Sequence, residues 1–531
     1  MAATLAGMLD AVADRSPDAP ALIERADGAT RTLTYAELRT AAGDLAAQLA
    51  ARGIGRGSVV GVWLPNWIEA ITIEFALASL GAANLGINTR YGVHELAHLV
   101  RTGRPAALVL PRAFHGLDFT GRFAQALADV GPDIDHPWTA FVGDGAWAFP
   151  DAPAGTAAPA APTGAPTDMV NYFTTSGSTG APKLAGHDQA AVTTHARNAA
   201  AAFAMAPGDT VLCALPLSGV FGFNPAMAML SVGGTCLLEP MFDAGTVLAD
   251  MADAHVTHAI GGDDLLGRLK DAWDADPRPL PAFRRGGIAD FVGRSAEVVA
   301  WAQRDLGADI GGVYGSSELF ALTAVRPAGT TTDPSDRARG GGRLVSDGIE
   351  VRVADPADGR TLPAGEVGEL QFRGYNVLTG YLRNPEAAER AFTPDGWFRS
   401  GDLGYLEPGG GDTFAYTCRA GDALRLRGFL VEPAEIEQFL MTHPAVDTAK
   451  VVGVQAGEGD VAVAYVTLRE AAEVADGELL AFCRARLARF KLPEAITVID
   501  AFPVTTGTNG TKIRTAELRA WAAAQLGSAE T

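Results

Sequence analysis

The feature that most constrains the fold is a regular alternation of helical and strand patterns between Leu33 and Leu110. Residues 34–54, TYAELRTAAGDLAAQLAARGI, carry apolar side chains at helical spacing, with a threonine at the start and a glycine near the end. Two short apolar strands, SVVGVWL (58–64) and AALVL (106–110), follow, with a further helical pattern between them. Because strands that alternate with helices are typical of a mostly parallel sheet, we predict an α/β fold.

The longest apolar run, AITIEFALASLGAANLGI (70–87), is interrupted by Glu74 and Gly81. A membrane span needs about 20 consecutive apolar residues, so this run predicts a buried helix followed by a strand. The N-terminal segment has no basic start and predicts an amphipathic helix rather than a signal peptide. The chain has four cysteines and no CxxC pair. These patterns predict a cytoplasmic protein without a disulfide framework or a zinc site.

The length of 531 residues exceeds what one hydrophobic core usually organises, so we expect two or more domains. The pattern changes near Cys418, because the helices and strands beyond it become shorter. Such a change is typical of a separate α+β unit of about a hundred residues. We predict a large N-terminal domain of mostly parallel sheets flanked by helices, residues 1–418, and a small α+β C-terminal domain, residues 419–531.

The formal charge of −20 limits the partners that the chain can bind. Nucleic-acid binding depends on lysine and arginine side chains that neutralise phosphates, so an acidic chain disfavours it. The same charge disfavours an anionic membrane surface. A polyanionic substrate such as a nucleotide must therefore be held by a local site that acts against the overall field.

The segment FTTSGSTGAPKLAGH (173–187) combines glycines, hydroxyl side chains and one lysine after an apolar start. Gly177 and Gly180 permit unusual backbone dihedrals, so several backbone N–H groups can point at one phosphate, and Lys183 adds a positive charge. The spacing does not fit a Walker A loop, which has four residues between its first glycine and GK[ST]. From these residues alone, a phosphate-binding loop and a plain flexible loop both stay open.

Six motifs occur in the order and spacing of one family and cover nearly the whole chain. They are TTSGSTGAPK (174–183), VYGSSE (313–318), GELQFRGYNVLTGYLRNPE (368–386), GWFRSGDLGYL (396–406), RAGDALRLRGFLVEPAEIE (419–437) and FKLPEAITVIDAFPVTTGTNGTKIR (490–514). By these motifs the chain resembles the adenylate-forming (ANL) superfamily of acyl-CoA synthetases, aryl acid–CoA ligases, luciferases and peptide-synthetase adenylation domains. The resemblance implies ATP-dependent adenylation of a carboxylic acid with release of pyrophosphate. It also implies transfer of the acyl group to a thiol, coenzyme A by default, after the small domain has rotated about a hinge.

The resemblance assigns ATP-binding roles to residues in these motifs. The group implied to clamp the phosphates comprises Thr174, Thr175, Ser176, Gly177, Ser178, Thr179, Gly180 and Lys183. The group implied to bind adenine comprises Tyr314, which would stack on the base, Gly315, Ser316 and Ser317. Asp402 would accept both ribose hydroxyls, since a carboxylate can take two donors. Arg419 would approach the ribose or the phosphates.

Catalytic roles are implied for Lys512 and Glu318. The ammonium of Lys512 would stabilise the negative charge that develops when a carboxylate attacks the α-phosphorus. Glu318 would hold Mg²⁺, a hard cation that prefers carboxylate and phosphate oxygens. Gly421 stands at the hinge position and still allows rotation. Residues 425–429, RLRGF, lie where relatives line the path of coenzyme A, and a solvated strand edge is the open alternative.

The acid-binding residues implied by the resemblance form two groups. They are Gly219, Phe221, Gly222 and Asn224 in the segment 214–224, and Gly287, Ile288 and Ala289 in the segment 284–292. Gly219 stands where the family often has a histidine or an aromatic residue, which suggests extra room or a different approach of the substrate. Small glycines beside phenylalanines favour a small or aromatic acid over a long acyl chain.

Four further polar residues are interpreted as structural rather than functional. Asp290 is interpreted as a cap of the following helix, with a contact to a substrate amine as the alternative. Asp263 and Asp264 are interpreted as an N-cap, and His187 as a structural residue.

Three alternatives to a CoA ligase stay open in the sequence. The acyl group could pass to the phosphopantetheine of a carrier protein. The enzyme could instead adenylate nitrite and diazotise an aryl amine in a natural-product pathway, which the altered pocket at Gly219 and Asp290 allows. The chain could also be a ligand sensor without catalysis, although a sensor would not need the full catalytic set. The sequence does not identify the acid, the acceptor or the oligomeric state, and a homodimer stays open.

Overall fold

The structure is a computed structural model that describes residues 3–26, 28–143, 145–153, 164–175, 182–409, 411–421, 424–426, 429–431, 433–456, 459–484, 487, 491–507 and 510–527. Its α-helices are α1 (Leu5–Arg15), α2 (Tyr35–Ala50), α3 (Ile68–Leu80), α4 (Val93–Gly103), α5 (Phe119–Val130), α6 (Gln189–Ala202), α7 (Val220–Val232), α8 (Ala244–Asp253), α9 (Asp263–Ala275), α10 (Ser295–Trp301), α11 (Pro334–Ala338), α12 (Pro385–Ala391), α13 (Pro433–Met441), α14 (Glu478–Arg484) and α15 (Thr515–Gly527). A π-helical segment, Ala302–Leu306, extends α10.

The strands are β1 (Pro20–Ala26), β2 (Ala29–Thr34), β3 (Val59–Val62), β4 (Ala83–Gly86), β5 (Ala107–Pro111), β6 (Trp138–Gly143), β7 (Ala146–Ala148), β8 (Met169–Thr174), β9 (Leu184–Asp188), β10 (Thr210–Cys213), β11 (Thr235–Leu238), β12 (His258–Gly262), β13 (Arg285–Ala289), β14 (Asp309–Tyr314), β15 (Ala324–Val325), β16 (Gly341–Leu344), β17 (Ile349–Ala354), β18 (Gly368–Gly374), β19 (Gly380–Tyr381), β20 (Phe398–Leu406), β21 (Thr413–Arg419), β22 (Leu424–Leu426), β23 (Phe429–Val431), β24 (Val446–Ala456), β25 (Gly459–Leu468), β26 (Ala495–Val498), β27 (Val504–Gly507) and β28 (Gly510–Ile513).

The predicted helix and strand patterns of the first hundred residues are present. Helix α2 begins directly after Thr34, whose side chain accepts from the backbone of Glu37 while the Glu37 carboxylate accepts from the backbone of Thr34. This reciprocal pair is a capping box, which satisfies two backbone donors at the helix start. The apolar run 70–87 covers most of α3 and all of β4, and Gly81 ends α3 in a left-handed conformation with φ of 68°. The interpretation as a buried helix and a strand is therefore confirmed.

Two large sheets form the N-terminal part. The first has thirteen strands in the order β17-β18-β20-β21-β16-β15-β14-β13-β12-β10-β11-β1-β2, and its segment from β14 to β1 is parallel. The second has eight strands in the order β19-β9-β8-β4-β3-β5-β6-β7, and it is parallel from β8 to β6. Strands β4, β5, β10 and β11 are buried along their whole length, as expected for parallel strands covered by helices on both faces.

An antiparallel arm extends the thirteen-stranded sheet and runs from β15 through β16, β21, β20 and β18 to β17. The α/β class predicted from the sequence is confirmed, and this arm makes the sheet mixed. Glycine permits the tight pairing here, because Gly342 has φ of 106° and a Cβ atom there would collide with the Val325 carbonyl. The arm places Asp402 on β20 directly opposite Arg419, the last residue of β21.

The C-terminal part has its own five-stranded sheet, formed by β22 to β26, with an apolar core against α13 and α14. A two-stranded hairpin, β27–β28, follows and packs against α9 and the end of β12 of the N-terminal part. Within the described ranges, no helix is both long enough and apolar enough to cross a membrane. This placement of the hairpin brings the C-terminal lysine motif to the edge of the large sheet.

Candidate active site

The phosphate-loop motif begins where β8 ends, at Thr174. The backbone N–H of Thr175 donates to the Lys183 carbonyl at 2.9 Å, and the Lys183 N–H donates to Oγ1 of Thr175 at 3.2 Å. These two bonds close the base of the loop and hold Lys183 beside β8. The predicted loop residues Ser176, Gly177, Ser178, Thr179 and Gly180 lie outside the described residues.

The second motif, residues 313–318, lies directly beside this base. Oγ of Ser317 donates to the Thr174 carbonyl at 3.1 Å, which ties the end of β14 to the end of β8. Gly315 has no room for a side chain, since a Cβ atom would lie 2.6 Å from the backbone of Ala321. Ser316 accepts the backbone N–H of Ala321 at its carbonyl, at 2.9 Å, so the motif turns tightly after β14. The two predicted ATP-binding motifs therefore lie together at the carboxyl ends of parallel strands, the usual ligand-binding edge of such sheets.

Tyr314 and Asp402 are buried at this edge and form a polar group with Arg419, whose side chain is partly exposed. The Tyr314 hydroxyl donates to Oδ2 of Asp402 at 2.7 Å, and Nε of Arg419 lies 3.2 Å from Oδ1. Burial raises the pKa of Asp402, while the Arg419 charge opposes that effect. Burial and the neighbouring carboxylate also raise the pKa of the Tyr314 hydroxyl. Each carboxylate oxygen thus already has one partner and retains lone pairs for further donors.

Glu318 and Lys183 are linked by Tyr381, a residue for which the sequence predicted no role. The Tyr381 hydroxyl donates to Oε1 of Glu318 at 3.1 Å, and Nζ of Lys183 lies 4.5 Å from the centre of the Tyr381 ring. An ammonium over an aromatic face is a favourable cation–π contact. Tyr381 belongs to the quoted motif 368–386, so its position in that motif was the signal that could have identified it.

Lys512 of β28 reaches the N-terminal part of the molecule. Its Nζ lies 4.7 Å from the centre of the Phe291 ring, and the charges of Arg419, Asp402 and Asp264 all act on it. Burial and the positive charge of Arg419 lower the pKa of Lys512. The predicted catalytic lysine therefore lies on the same side of the molecule as the group around Asp402. Sequence reasoning missed Phe291, whose contact depends on how the two parts of the chain pack.

The predicted acid-binding segment forms the start of α7. Gly219 is the N-cap residue of that helix, and the side chain of Phe221 meets Phe291 edge to face, with ring centres 6.4 Å apart. Gly222 admits no side chain, because a Cβ atom would collide with the Pro216 carbonyl. Asn224 is fully buried and donates from Nδ2 to the Phe320 carbonyl at 2.8 Å. The segment is therefore closely packed, and Phe221 contacts the same Phe291 ring that Lys512 approaches.

The second acid-binding group lies on β13. A Cβ atom at Gly287 would lie 2.9 Å from the Val313 side chain, so this strand packs closely against β14. The Ile288 side chain is fully buried in the core, and Ala289 at the end of the strand is partly exposed. Ala289 is therefore the member of this group that directly precedes the loop carrying Phe291, whereas the Ile288 side chain points into the core.

None of the three aspartates interpreted as caps, Asp263, Asp264 and Asp290, is the N-cap residue of a helix. Gly262, not an aspartate, is the N-cap of α9, and Asp263 accepts the backbone N–H groups of Phe291, Val292 and Arg294. Asp290 accepts from the Gly293 N–H at 3.2 Å and from the Ser295 hydroxyl at 2.8 Å. Burial and the charge of Asp290 raise the pKa of Asp263. Asp263 therefore fixes the loop that presents Phe291 to Lys512.

Two buried histidines lie behind this edge. His187 directs Nε2 at the Ser317 carbonyl at 2.8 Å, as expected for a structural residue, and His195 directs Nε2 at the Ala321 carbonyl at 2.9 Å. A carbonyl only accepts, so both Nε2 atoms carry the proton. Burial lowers the pKa of each imidazole to about 4. Both side chains are therefore neutral at pH 7.

These histidines predict a loss of stability in mild acid. Since the folded pKa of about 4 lies below the unfolded value of 6.5, their contribution is full above pH 6.5 and falls as the pH drops towards 4. When the pH falls from 7 to 5, the contribution of each histidine to the free energy of unfolding should decrease by about 2 kcal/mol. Urea unfolding at both pH values measures this. The variant His195→Gln should show the smaller drop, and an equal drop in both proteins would contradict the prediction.

The fold and the site together define an enzyme that binds a nucleotide at the edge of a large sheet and receives a lysine from a small C-terminal part. A family model described as AMP-binding enzyme matches residues 9–382. A model described as AMP-binding enzyme C-terminal domain matches residues 435–509. The chain belongs to the AMP-binding enzyme family, the adenylate-forming superfamily predicted from its motifs.

Relatives and solved structures agree with this assignment. The chain is 31% identical over 506 residues to sulfoacetate–CoA ligase from Cupriavidus necator, with 94% of this chain and 95% of that protein covered. It is 30% identical to 4-coumarate–CoA ligase-like 9 from Oryza sativa, covering 92% of this chain and 88% of that protein. ATP-bound MatB from Rhodopseudomonas palustris matches with a TM-score of 0.82 and 26% identity, covering 97% and 98% of the two chains.

The protein is accordingly an AMP-forming acid–thiol ligase of the acyl-CoA synthetase type. It uses ATP to adenylate a small-molecule carboxylic acid and passes the acyl group to coenzyme A. These comparisons do not favour nitrite adenylation or transfer to a carrier protein, the alternatives that the sequence left open.

Proposed function

We propose that this ligase activates a compact or aromatic carboxylic acid, with Mg²⁺ as the metal and Lys512 as the group that promotes adenylation. The observation that carries the proposal is the approach of Lys512 to Phe291, where the charges of Asp402 and Arg419 act on its ammonium. This arrangement supports a closed state in which the C-terminal part completes the adenylation site.

In the first half-reaction, the acid's carboxylate attacks the α-phosphorus and pyrophosphate leaves. Negative charge grows at the reacting phosphoryl group, and the ammonium of Lys512 stabilises it more strongly than it stabilises the bound substrates. Because its pKa is lowered, Lys512 loses its proton at a lower pH than an ordinary lysine does. We therefore infer that the adenylation rate decreases on the alkaline side as Lys512 loses this proton.

The nucleotide would be held by the groups described above. Asp402 would accept the ribose hydroxyls with its remaining lone pairs, Arg419 would contact the ribose or the phosphates, and Tyr314 would pack against adenine. Lys183 and the hydroxyl of Thr175 lie at the base of the phosphate loop, where they could reach the β- and γ-phosphates. These roles, with those of Gly315, Ser316 and Ser317, rest on position and chemistry.

Glu318 fits the role of a magnesium ligand. One carboxylate oxygen accepts from Tyr381, and the other makes no hydrogen bond with any described residue. The part of the chain that the structure describes has no cluster of three His, Cys, Asp or Glu side chains that could bind a metal alone. A single carboxylate together with substrate phosphates is the usual way in which proteins bind Mg²⁺ at nucleotides. The ion would neutralise phosphate charge, and Tyr381 would orient the carboxylate.

The second half-reaction would need the two domains, residues 1–418 and 419–531, to change their relative orientation. Arg419 ends β21 and remains bound to Asp402, whereas Gly421 is exposed two residues later. We infer from this exposed position that Gly421 serves as the hinge, so that rotation there would withdraw Lys512 and admit the thiol of coenzyme A.

A compact acid is favoured by the start of α7. Gly219 and Gly222 add no side-chain volume, the Phe221 and Phe291 rings meet edge to face, and Lys512 lies over the Phe291 ring. Aromatic rings prefer such edge-to-face contacts, so this pair would give an aryl or short acid an apolar wall to pack against. The relatives named for sulfoacetate and 4-coumarate also act on compact acids, to judge by their names.

We expect pyrophosphate release with benzoates, cinnamates or short acids to exceed that with C8–C16 fatty acids by at least about tenfold in kcat/KM. Removing Phe221 by Phe221→Ala should reduce this preference by about tenfold, the discrimination expected for loss of a few methylene-sized contacts. A coupled pyrophosphate assay across the acid panel measures both effects. Fastest turnover with a long-chain acid would contradict the proposed substrate class.

A further inference from the structure

The segment directly around Glu318 is held by hydrogen bonds to every one of its carbonyls. Five consecutive carbonyl oxygens, those of residues 317–321, each accept from a group outside the segment. The donors are His187 Nε2 to Ser317 at 2.8 Å, the Leu378 N–H to Glu318 at 2.7 Å, Asn376 Nδ2 to Leu319 at 2.9 Å, Asn224 Nδ2 to Phe320 at 2.8 Å and His195 Nε2 to Ala321 at 2.9 Å. We call these four side chains, His187, His195, Asn224 and Asn376, the carbonyl cradle.

The segment needs such support because its backbone is strained. Phe320, Ala321 and Leu322 have φ values of 57°, 50° and 36°, all in the left-handed region. Residues other than glycine rarely adopt this conformation, and each such residue costs of the order of 1 kcal/mol or more. Three in succession, two residues after Glu318, persist only where surrounding groups determine the conformation.

In the part of the chain that the structure describes, three of the cradle side chains make hydrogen bonds with only one of their two polar atoms, the atom that faces the segment. His187 Nδ1, Asn224 Oδ1 and Asn376 Oδ1 are buried and have no hydrogen-bond partner among the described residues. Burying a polar atom without a partner is unfavourable, so these side chains would be poor choices if they served packing alone. Their one satisfied contact is the bond to the strained segment.

His195 is oriented by a further pair of residues. Asn198 donates from Nδ2 to the Tyr375 hydroxyl at 2.8 Å, and that hydroxyl lies 3.2 Å from Nδ1 of His195. Since Nε2 must carry the proton to bond the Ala321 carbonyl, Nδ1 accepts the Tyr375 proton. The chain of three side chains therefore sets the tautomer that the cradle requires.

We propose that the carbonyl cradle is a set of positioning residues that holds the strained turn after Glu318 and so aims its carboxylate at the metal–phosphate site. This inference rests on the proposed role of Glu318 in Mg²⁺ binding. It also assigns Asn224 to this turn rather than to the acid pocket, because its amide faces the Phe320 carbonyl and its side chain is fully buried.

The test is calorimetric binding of ATP with and without Mg²⁺, which requires no turnover. The wild-type protein should bind ATP more tightly with Mg²⁺, and Glu318→Gln should abolish that gain. Asn224→Ala, Asn376→Ala and His195→Ala should each reduce the gain by about threefold to tenfold, the effect expected for loss of one hydrogen bond. Affinity for ATP without Mg²⁺ should stay unchanged, and His195→Gln, which retains a donor, should restore part of the gain.

The matched control is His258→Ala. His258 is also fully buried and also directs Nε2 at a backbone carbonyl, but this is the carbonyl of Phe203, at 3.1 Å, and not one in the segment 317–321. It should lose stability without losing the Mg²⁺-dependent gain. Tyr375→Phe provides a milder variant that removes only the orienting hydroxyl, should a cradle variant not fold.

The outcomes separate the two proposals. If Glu318→Gln keeps the full Mg²⁺-dependent gain, the proposed role of Glu318 fails. If Glu318→Gln loses the gain while folded cradle variants and Tyr375→Phe keep it, the cradle proposal is overturned. Hydrogen exchange of the amides in 317–322 should accelerate in Asn224→Ala and not in His258→Ala, and unchanged exchange in both would also overturn it.

Discussion

Replacing Lys512 with alanine is expected to slow acyl-adenylate formation by about 10²–10³-fold. The reason is local: the hairpin β27–β28 carries the ammonium to within 4.7 Å of the centre of the Phe291 ring, where the charges of Arg419 and Asp402 act on it. Single-turnover formation of acyl-AMP, measured by quenched flow, gives this rate directly.

The second half-reaction provides the internal control for Lys512→Ala. Thioester formation from added acyl-AMP and coenzyme A should stay within about threefold of the wild-type rate, because Lys512 acts on the phosphoryl group. Arg514→Ala is the matched control variant, since Arg514 lies two residues further on and pairs with Glu517 on the surface. Equal loss in both half-reactions would indicate a folding defect and contradict the assigned role.

Replacing Asp402 with alanine is expected to raise the KM for ATP by about tenfold to a hundredfold. The carboxylate would accept ribose hydroxyls, and a hydrogen bond to a charged group is worth about 1.5–3 kcal/mol. The change also leaves the Tyr314 hydroxyl and Arg419 without their partner, so some loss of stability should accompany it. Steady-state pyrophosphate release at varied ATP measures KM, and thermal unfolding measures the stability.

Two variants separate these effects of Asp402. Tyr314→Phe removes only the hydroxyl donor and should raise the KM for ATP by less than about tenfold. Asp395→Ala removes an exposed carboxylate that pairs with Arg352 on the same antiparallel arm, and it should change neither quantity measurably. A KM for ATP that is unaltered in Asp402→Ala would contradict a ribose contact.

Much of the fold follows from local pattern. The capping box at Thr34 and Glu37 and the glycine that ends α3 act over a few residues, so the sequence predicts those helices well. The antiparallel arm depends instead on pairs such as Asp402 and Arg419. These two residues are 17 positions apart in the sequence and lie directly opposite each other on β20 and β21. Such long-range pairing is not visible in helix or strand periodicity.

The site shows the same division. The motif residues Tyr314, Asp402 and Lys512 could be named from the sequence, because a family pattern carries them. Tyr381 lies in a quoted motif, but its contact with Lys183, like that of Phe291 with Lys512, forms only when distant segments pack together. A local capping rule predicts that Asp263 is an N-cap. In the folded chain its carboxylate instead accepts hydrogen bonds from the backbone of the 291–294 loop, which is distant in the sequence.

The most direct test of the central claim measures AMP, pyrophosphate and acyl-CoA in the same reaction, with MgATP and the best acid of the panel, with and without coenzyme A. We predict that AMP release in multiple turnovers requires both the acid and coenzyme A, and that acyl-CoA forms in an amount equal to AMP. AMP release that proceeds equally without coenzyme A, or that requires nitrite and an aryl amine instead of an acid–thiol pair, would contradict the account.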